Sequence, residues 1–358
     1  MKNKVLIRLL SLLRAGLSDA LPDAAKFAWM RKVCWKTLYM RAAQEGVLAW
    51  TFDGMLRLPK NRQPPCNLQL NWHGSVDFVE RKYICMQEAA QELSCRFGEQ
   101  GIRMLLFKGF ALAQYHQKPS HREFGDLDIY LFGQYDDGNR LLREWGAQEM
   151  SGTGKHAVFS YNGVMVENHI SFLEPSPYIH ADLDRYLIAL VHEEHHHSPA
   201  GKLQYPSPDF TLLYFVAHAL EHLMDERLRW RYFCDWAVFL HASNGQLSWS
   251  QYELMFPRGS ISRKVADAFT AIAIECLELP PDKAPPHQRN QSFERTILKE
   301  ISYPFHHRKE KLPFGKHLIF KYRWLMERRW RSELLVPGSF RKNLIHSLIY
   351  RLHPFHND

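Results

Sequence analysis

Apolar positions follow two different spacings along the chain and divide it into three regions. Up to about residue 96 they recur at helical intervals, most clearly over 24–52 and 76–97. Residues 97–176 carry short apolar runs typical of strands, and the helical spacing returns from residue 177, interrupted by prolines at 206, 208 and 280–286. We expect an α+β fold with a small mixed sheet in 97–176, flanked by helical regions 1–96 and 177–358.

The start of the chain has leucines at helical spacing, but Arg8 and Arg14 interrupt them. This pattern predicts an amphipathic helix packed on the protein rather than a secretory signal. No run of 18 apolar residues occurs, so we expect no transmembrane helix. Six scattered cysteines without a Cys-x-x-Cys pair predict reduced thiols and a cytoplasmic protein.

Residues 102–107 form an apolar run that predicts a buried strand, and Lys108-Gly109 follows it directly before a helix-like segment. A strand, a glycine turn and a helix start place backbone N–H groups where a triphosphate could dock, with the lysine ammonium nearby. A glycine in this position is also a common turn residue with no other role. Lys108 and Gly109 are therefore candidate phosphate-binding residues.

Two aspartates one residue apart lie in the next apolar run, 125–131. Because side chains alternate along a strand, Asp126 and Asp128 should share one face while Leu127 and Ile129 share the other. Paired carboxylates are ligands that Mg²⁺ uses together with substrate phosphates. The alternative is a strand end with two solvated acids.

A third carboxylate is predicted by the hairpin around Asn162-Gly163, a dipeptide typical of two-residue turns. In its second strand Glu167 shares a face with His169, opposite Val166. If the hairpin pairs beside the Asp126 strand, Glu167 can join the same site as a metal ligand or general base. Otherwise Glu167 is a solvent-facing residue of an edge hairpin.

Together these segments resemble the nucleotidyltransferase superfamily, and more closely the bacterial family of uncharacterised nucleotidyltransferases. The matching residues are Lys108, Gly109, Ala111, Leu112, Ala113, Tyr115, Pro119, Arg122, Gly125, Asp126 and Asp128. The resemblance continues through 166–169 and the later helix, and weakly at 348–354. Two departures occur: the superfamily's Gly-Ser turn is Gly109-Phe110 here, and Asn168 follows the third acid where the family has an apolar residue.

The resemblance implies a polymerase-beta-like core that transfers a nucleoside monophosphate from a nucleoside triphosphate, ATP by default, to an acceptor. It implies Asp126, Asp128 and Glu167 as ligands of Mg²⁺ or Mn²⁺, with Glu167 as the possible base. Lys108, Gly109 and Arg122 would bind the triphosphate. Arg122 could equally pair with Glu123 or Asp126. The acceptor stays open among a sugar or glycan precursor, a small molecule, a protein hydroxyl and an RNA end.

The helix expected from residue 210 carries His218 and His222 one turn apart. Their order before an Arg-Trp pair and Asp235 is similar to the family's helical region. His218 is a candidate contact for nucleotide phosphate or acceptor, and Asp235 for a pair with Arg229 or His222. Structural hydrogen bonds are the alternative for both.

Two further features leave alternatives open. Residues 305–358 hold 12 Lys or Arg against 4 Asp or Glu, so the +8 of the whole chain lies in this segment. Its interleaved basic and aromatic residues suit an anionic surface, or a helix packed on the core.

A second feature is His192-Glu193-Glu194-His195-His196, which matches the His-Glu-x-x-His pattern of zinc peptidases. The alternative for this segment is a solvated helix end. A catalytically silent nucleotide or polyanion-binding module is the remaining alternative.

Overall fold

The structure, a computed structural model, describes residues 4–18, 20–152, 155–176, 178–225, 228–302, 326 and 329–335. Helices surround one five-stranded mixed sheet. The expected α+β fold is therefore confirmed.

The N-terminal helices pack through close backbone contacts. They are α1 (Lys4–Leu17), α2 (Lys32–Gln44), α3 (Leu48–Leu56) and α4 (Cys66–Glu99). The expected packing of an amphipathic α1 is confirmed, because Leu9, Leu12 and Leu13 are fully buried. A Cβ on Gly16 would lie 1.9 Å from the Trp50 carbonyl oxygen of α3, so only glycine permits this crossing. The stretch of helical spacing over 24–52 forms a short 3-10 helix (Ala24–Phe27), α2 and α3, because α2 ends before Gly46 at φ +66°.

The sheet is built from β1 (Leu105–Phe107), β2 (Asp126–Tyr130), β3 (Gln148–Gly152), β4 (His156–Tyr161) and β5 (Val164–His169). Its order is β1-β2-β5-β4-β3, with β2 and β5 parallel and the other neighbours antiparallel. α5 (Lys108–Ala113) follows β1, and α6 (Tyr135–Glu144) follows β2. The hairpin of β4 and β5 is confirmed. β3 was not predicted, because all five of its residues are exposed and lack apolar alternation.

The C-terminal helices are α7 (Leu183–Glu194), α8 (Pro208–Asp225), α9 (Trp230–Ala242), α10 (Trp249–Met255), α11 (Ile261–Leu277), α12 (Gln291–Ser302) and α13 (Arg329–Leu335). They share one apolar cluster with α1 to α3 and with one face of the sheet. A second cluster joins α4 and α6 to the other face, through Leu127, Ile129 and Val166 among others. One face of β2 and β5 is thus mainly apolar, and the opposite face is free to hold polar groups.

Three sequence expectations concern features outside the sheet. No described helix has the length and apolarity needed to cross a membrane. All six cysteines are free thiols. Of the basic segment 305–358, only 326 and 329–335 lie within the described ranges. There Trp330 packs edge-on against Phe293 of α12 at 5.9 Å, and Arg331 is buried beside Glu300.

Candidate active site

Three carboxylates converge on one face of the sheet because of the pairing between β2 and β5. The parallel register places Asp128 beside Glu167, and Asp126 beside Met165. Leu127 and Ile129 are fully buried on the opposite face. Asn168, the departure from the family pattern, also lies on that far side, where its amide donates to the Tyr135 carbonyl oxygen of α6. The predicted direction of Glu167 is therefore confirmed, and Asn168 does not disturb it.

Lys108 places a cation among these carboxylates. Its Nζ lies 2.5 Å from Oδ1 of Asp128 and 3.5 Å from Oε2 of Glu167. Lys108 is the first residue of α5, directly after β1, and adopts φ +52°. A left-handed backbone at a non-glycine residue costs about 1–3 kcal/mol and is held by its surroundings. The turn thus directs the ammonium back over the sheet instead of into solvent.

The three carboxylates have different protonation behaviour. Burial and the charges of Asp128 and Glu167 raise the pKa of Asp126 to about 6, and this carboxylate has no hydrogen bond or ion pair with any described residue. Burial alone would raise the pKa of Asp128, but Lys108 and a hydrogen bond from His169 hold it well below its usual range. Burial is likewise outweighed at Glu167, whose pKa is lowered by the His169 hydrogen bond. The charges of Lys108 and Arg231 offset only part of the rise at Asp126.

Two histidines extend the polar row across the sheet. His169 is buried at the end of β5, with Nε2 3.0 Å from Oδ1 of Asp128 and 3.3 Å from Oε2 of Glu167. His156, at the start of β4, has Nε2 3.8 Å from Oε1 of Glu167. Sequence reasoning placed His169 on the Glu167 face but missed His156. The alternation of side chains along β4, the first strand of the hairpin, could have placed His156 on this face.

Arg122 is held at the site by a buried acid from a distant helix. Its Nε and Nη2 donate to the two carboxylate oxygens of Asp235 in α9, at 3.0 and 2.9 Å. Nε2 of His116 lies 3.0 Å from the same acid. Because the guanidinium is bound to Asp235, the alternative pairs of Arg122 with Glu123 or Asp126 do not form. Asp235 likewise does not pair with Arg229 or His222. Burial would raise the pKa of Asp235, but Arg122 and His116 lower it to about 2.

Gly109 permits the close approach of Arg122. A Cβ at this position would lie 3.0 Å from Nη1 of Arg122 and 3.1 Å from Cβ of Phe124. Because Asp235 binds Nε and Nη2, Nη1 is the guanidinium nitrogen left facing Gly109. Its remaining contact is a long one, 3.5 Å to the Glu123 carbonyl oxygen.

A cleft of about 580 Å³ brings the predicted site residues together between the sheet and helices α8 and α9. Its lining includes all seven of them: Lys108, Gly109, Arg122, Asp126, Asp128, Glu167 and His218. The lining residues that were not predicted to act there include Tyr214, Arg229 and Arg231. A larger cavity of about 670 Å³ lies among α1, α3 and α9, but its lining contains none of the three site carboxylates.

His218 faces the cleft as a neutral imidazole. Burial and the neighbouring His222 hold its pKa well below the usual value. Its Nε2 lies 3.1 Å from Nε2 of His222, and its Nδ1 3.7 Å from Oε2 of Glu221. Any contact of His218 with a nucleotide would therefore be a hydrogen bond and not a charge pair.

The zinc-peptidase pattern does not form one helical face. α7 ends at Glu194, so His192 is helical while His196 lies beyond the helix end. Nε2 of His192 instead lies 3.2 Å from the Tyr130 hydroxyl. Within the described ranges, the residues grouped closely enough to hold a metal ion are His156, Glu167 and His169, and none of them belongs to the pattern.

The comparisons with known proteins agree with this geometry. A family model described as "Uncharacterised nucleotidyltransferase" matches residues 31–270, about two thirds of the chain. The matched range contains every residue of the carboxylate site and the cleft's predicted phosphate contacts. No curated protein and no solved structure matches the chain significantly. From the extent of the family match, the chain belongs to the uncharacterised nucleotidyltransferase family.

Proposed function

We propose that the protein transfers a nucleoside monophosphate from a nucleoside triphosphate, ATP by default, to an acceptor hydroxyl in a metal-dependent reaction. Family membership supports nucleotidyl transfer in general. The observation that carries the specific proposal is the row of Asp126, Asp128 and Glu167 on one sheet face, at the wall of a cleft large enough for a nucleotide.

The residues present fit a divalent cation. Asp126, Asp128 and Glu167 are not as closely grouped as His156, Glu167 and His169, so each Mg²⁺ or Mn²⁺ would be held by one or two of these carboxylates together with substrate phosphate oxygens, the ligands that such hard ions prefer. The ammonium of Lys108 already contacts Asp128 and Glu167, so these two oxygens accommodate one shared cation. Asp126 adds a partly buried carboxylate whose raised pKa shows that Lys108 and Arg231 do not fully neutralise its charge. The bound ion would neutralise phosphate charge and align the attacking and leaving oxygens.

Lys108 and Arg122 are the proposed phosphate contacts. Lys108 lines the cleft and is held only by side-chain contacts with acids and His169, so its ammonium can exchange carboxylate oxygens for phosphate oxygens. Arg122 keeps a fixed position through Asp235 and presents Nη1 beside Gly109. A pre-positioned guanidinium loses little conformational entropy when it binds a phosphate. These two cations would orient the triphosphate against the carboxylates.

In the proposed reaction one bond forms at the α-phosphorus and one bond breaks. The acceptor oxygen forms a bond to the α-phosphorus, and the bond from that phosphorus to the bridging oxygen breaks, so pyrophosphate leaves. The hydroxyl proton needs an acceptor in the cleft. Glu167, whose pKa lies below its ordinary value, is ionised at neutral pH and is the proposed base or third metal ligand.

The test is incubation of the purified protein with each nucleoside triphosphate and Mg²⁺ in a nucleotide-depleted cell extract. We expect label to enter an acceptor from the α-phosphate and not from the γ-phosphate. Asp126→Asn and Asp128→Asn should abolish labelling, and the exposed Asp136→Asn is the matched control. Labelling that survives both replacements would contradict the proposal. Nucleotide binding without transfer in the wild type would instead identify a silent binding module.

A further inference from the structure

A second cluster of metal-ligand side chains adjoins the three carboxylates. In the antiparallel pair of β4 and β5, His156 lies opposite His169, and Val158 lies opposite Glu167. Ligand atoms of His156, Glu167 and His169 all lie within 4.8 Å of one another. Glu167 and His169 are two residues apart along β5, and His156 of β4 lies directly opposite His169. The sheet itself therefore holds the three side chains on one face.

The spacing of these atoms is close to that of a coordinated ion. Two ligands bound tetrahedrally at roughly 2 Å are about 3.4 Å apart. Nε2 of His169 lies 3.3 Å from one oxygen of Glu167, and Nε2 of His156 lies 3.8 Å from the other. Small rotations of His156, which faces the cleft and is only partly buried, would close the remaining gap. No movement of the backbone is needed.

The ligand types differ from those of the aspartate pair. Imidazole nitrogen suits Zn²⁺, Cu²⁺, Ni²⁺ and Fe²⁺, whereas Mg²⁺ and Mn²⁺ prefer oxygen ligands. Nε2 of His169, the ring nitrogen on the Glu167 side, hydrogen-bonds Oδ1 of Asp128 at 3.0 Å, so a transition ion bound there would replace that hydrogen bond.

We propose that His156, Glu167 and His169 form a binding site for a divalent transition ion such as Zn²⁺, next to the oxygen-ligand site and sharing Glu167 with it. Metal binding at this site can be measured without nucleotide, so its test is independent of the transfer reaction.

The ammonium of Lys108 would compete with an ion bound at this cluster. Its Nζ lies 3.4 Å from Nε2 of His169 and 3.5 Å from Oε2 of Glu167. An ion at the cluster and the ammonium would repel each other at these distances. Removal of the ammonium should therefore strengthen metal binding.

The experiment is a Zn²⁺ titration of the full, tag-free, metal-stripped protein by calorimetry, with Co²⁺ absorption as the readout of nitrogen ligation. His156→Gln should lower the Zn²⁺ affinity at least tenfold, remove the visible Co²⁺ bands and leave Mg²⁺ affinity unchanged. The control is His73→Gln on an exposed face of α4, which should change nothing. Lys108→Met should raise the Zn²⁺ affinity several-fold. Misfolding cannot produce such a gain, so this variant tests the site even if His156→Gln folds poorly.

Equal Zn²⁺ affinity in the wild type and His156→Gln would overturn the proposal. Equal loss of Zn²⁺ and Mg²⁺ binding in His156→Gln would overturn it as well, because both ions would then share a single site. Asp126→Asn separates this inference from the proposed reaction: it should lose nucleotidyl transfer and keep the Zn²⁺ affinity. Zn²⁺ binding through His156 in a protein without transferase activity would support the site and contradict only the reaction.

Discussion

Replacing Asp126 by Asn should stabilise the metal-free protein while abolishing its proposed activity. The carboxylate lies partly buried beside two other acids, and its pKa rises from 3.8 to about 6 in the folded chain. Ionisation therefore opposes folding. Two pH units correspond to about 3 kcal/mol, an upper bound because the side chain keeps some solvent contact. Asparagine has nearly the same shape and no charge, so it removes this cost.

The sign of the pH dependence follows from the raised pKa. At pH 4 Asp126 is largely protonated in the folded state, and the replacement should change the free energy of unfolding by under about 1 kcal/mol. As the pH rises from 3.8 to 6, the wild type progressively loses this contribution to its stability and the variant has none to lose, so the gain should reach about 3 kcal/mol at pH 7 and above.

Urea denaturation in the presence of EDTA, at pH 4, 5, 6, 7 and 8, measures this gain directly. Asp136→Asn, at an exposed position in α6, is the control and should change stability by less than about 0.5 kcal/mol at every pH. Addition of Mg²⁺ should stabilise the wild type more than Asp126→Asn. A variant that is destabilised at pH 8, or a gain that does not vary with pH, would refute the electrostatic argument.

Three further predictions concern the neighbours of Asp126. Asp128→Asn should have the opposite effect at pH 7 and destabilise the protein by about 3 kcal/mol in urea, because it leaves Lys108 buried without its main partner. Since the pKa of Asp128 is lowered, this penalty should shrink as the pH falls below 3.8. Gly109→Ala should displace Arg122 and weaken nucleoside triphosphate binding about tenfold by calorimetry, with about 1 kcal/mol lost in stability. Asp235→Asn should destabilise by about 3 kcal/mol and raise KM more than it lowers kcat, whereas a purely structural role would leave KM unchanged.

The carboxylate face of β2 was predictable because it depends on local geometry. Side chains alternate along any extended chain, so Asp126 and Asp128 had to point one way and Leu127 the other. The Asn162-Gly163 turn set the register of the hairpin in the same local manner, and with it the direction of Glu167. These features follow from sequence neighbours alone.

Other predictions went wrong where distant parts of the chain compete. Arg122 has charged neighbours in the sequence, yet it pairs with Asp235, 113 residues away, because both become buried between α5 and α9. The stretch of helical spacing over 24–52 is divided at Gly46, next to the point where the buried Glu45 accepts a hydrogen bond from the start of α9, a break that the spacing alone does not predict. β3 forms on an exposed edge from residues without strand patterning, since β4 offers it a free edge to pair with.

The α+β class, the shared face of the aspartates and the set of polar residues available for the site could all be predicted from the order of the amino acids. Long-range packing was needed to pair β5 in parallel with β2, which brings Glu167 to Asp128, and to place Lys108, His156 and His169 around them. Side-chain direction is set by the backbone of adjacent residues, whereas the choice of strand neighbour and charge partner depends on burial summed over the whole chain.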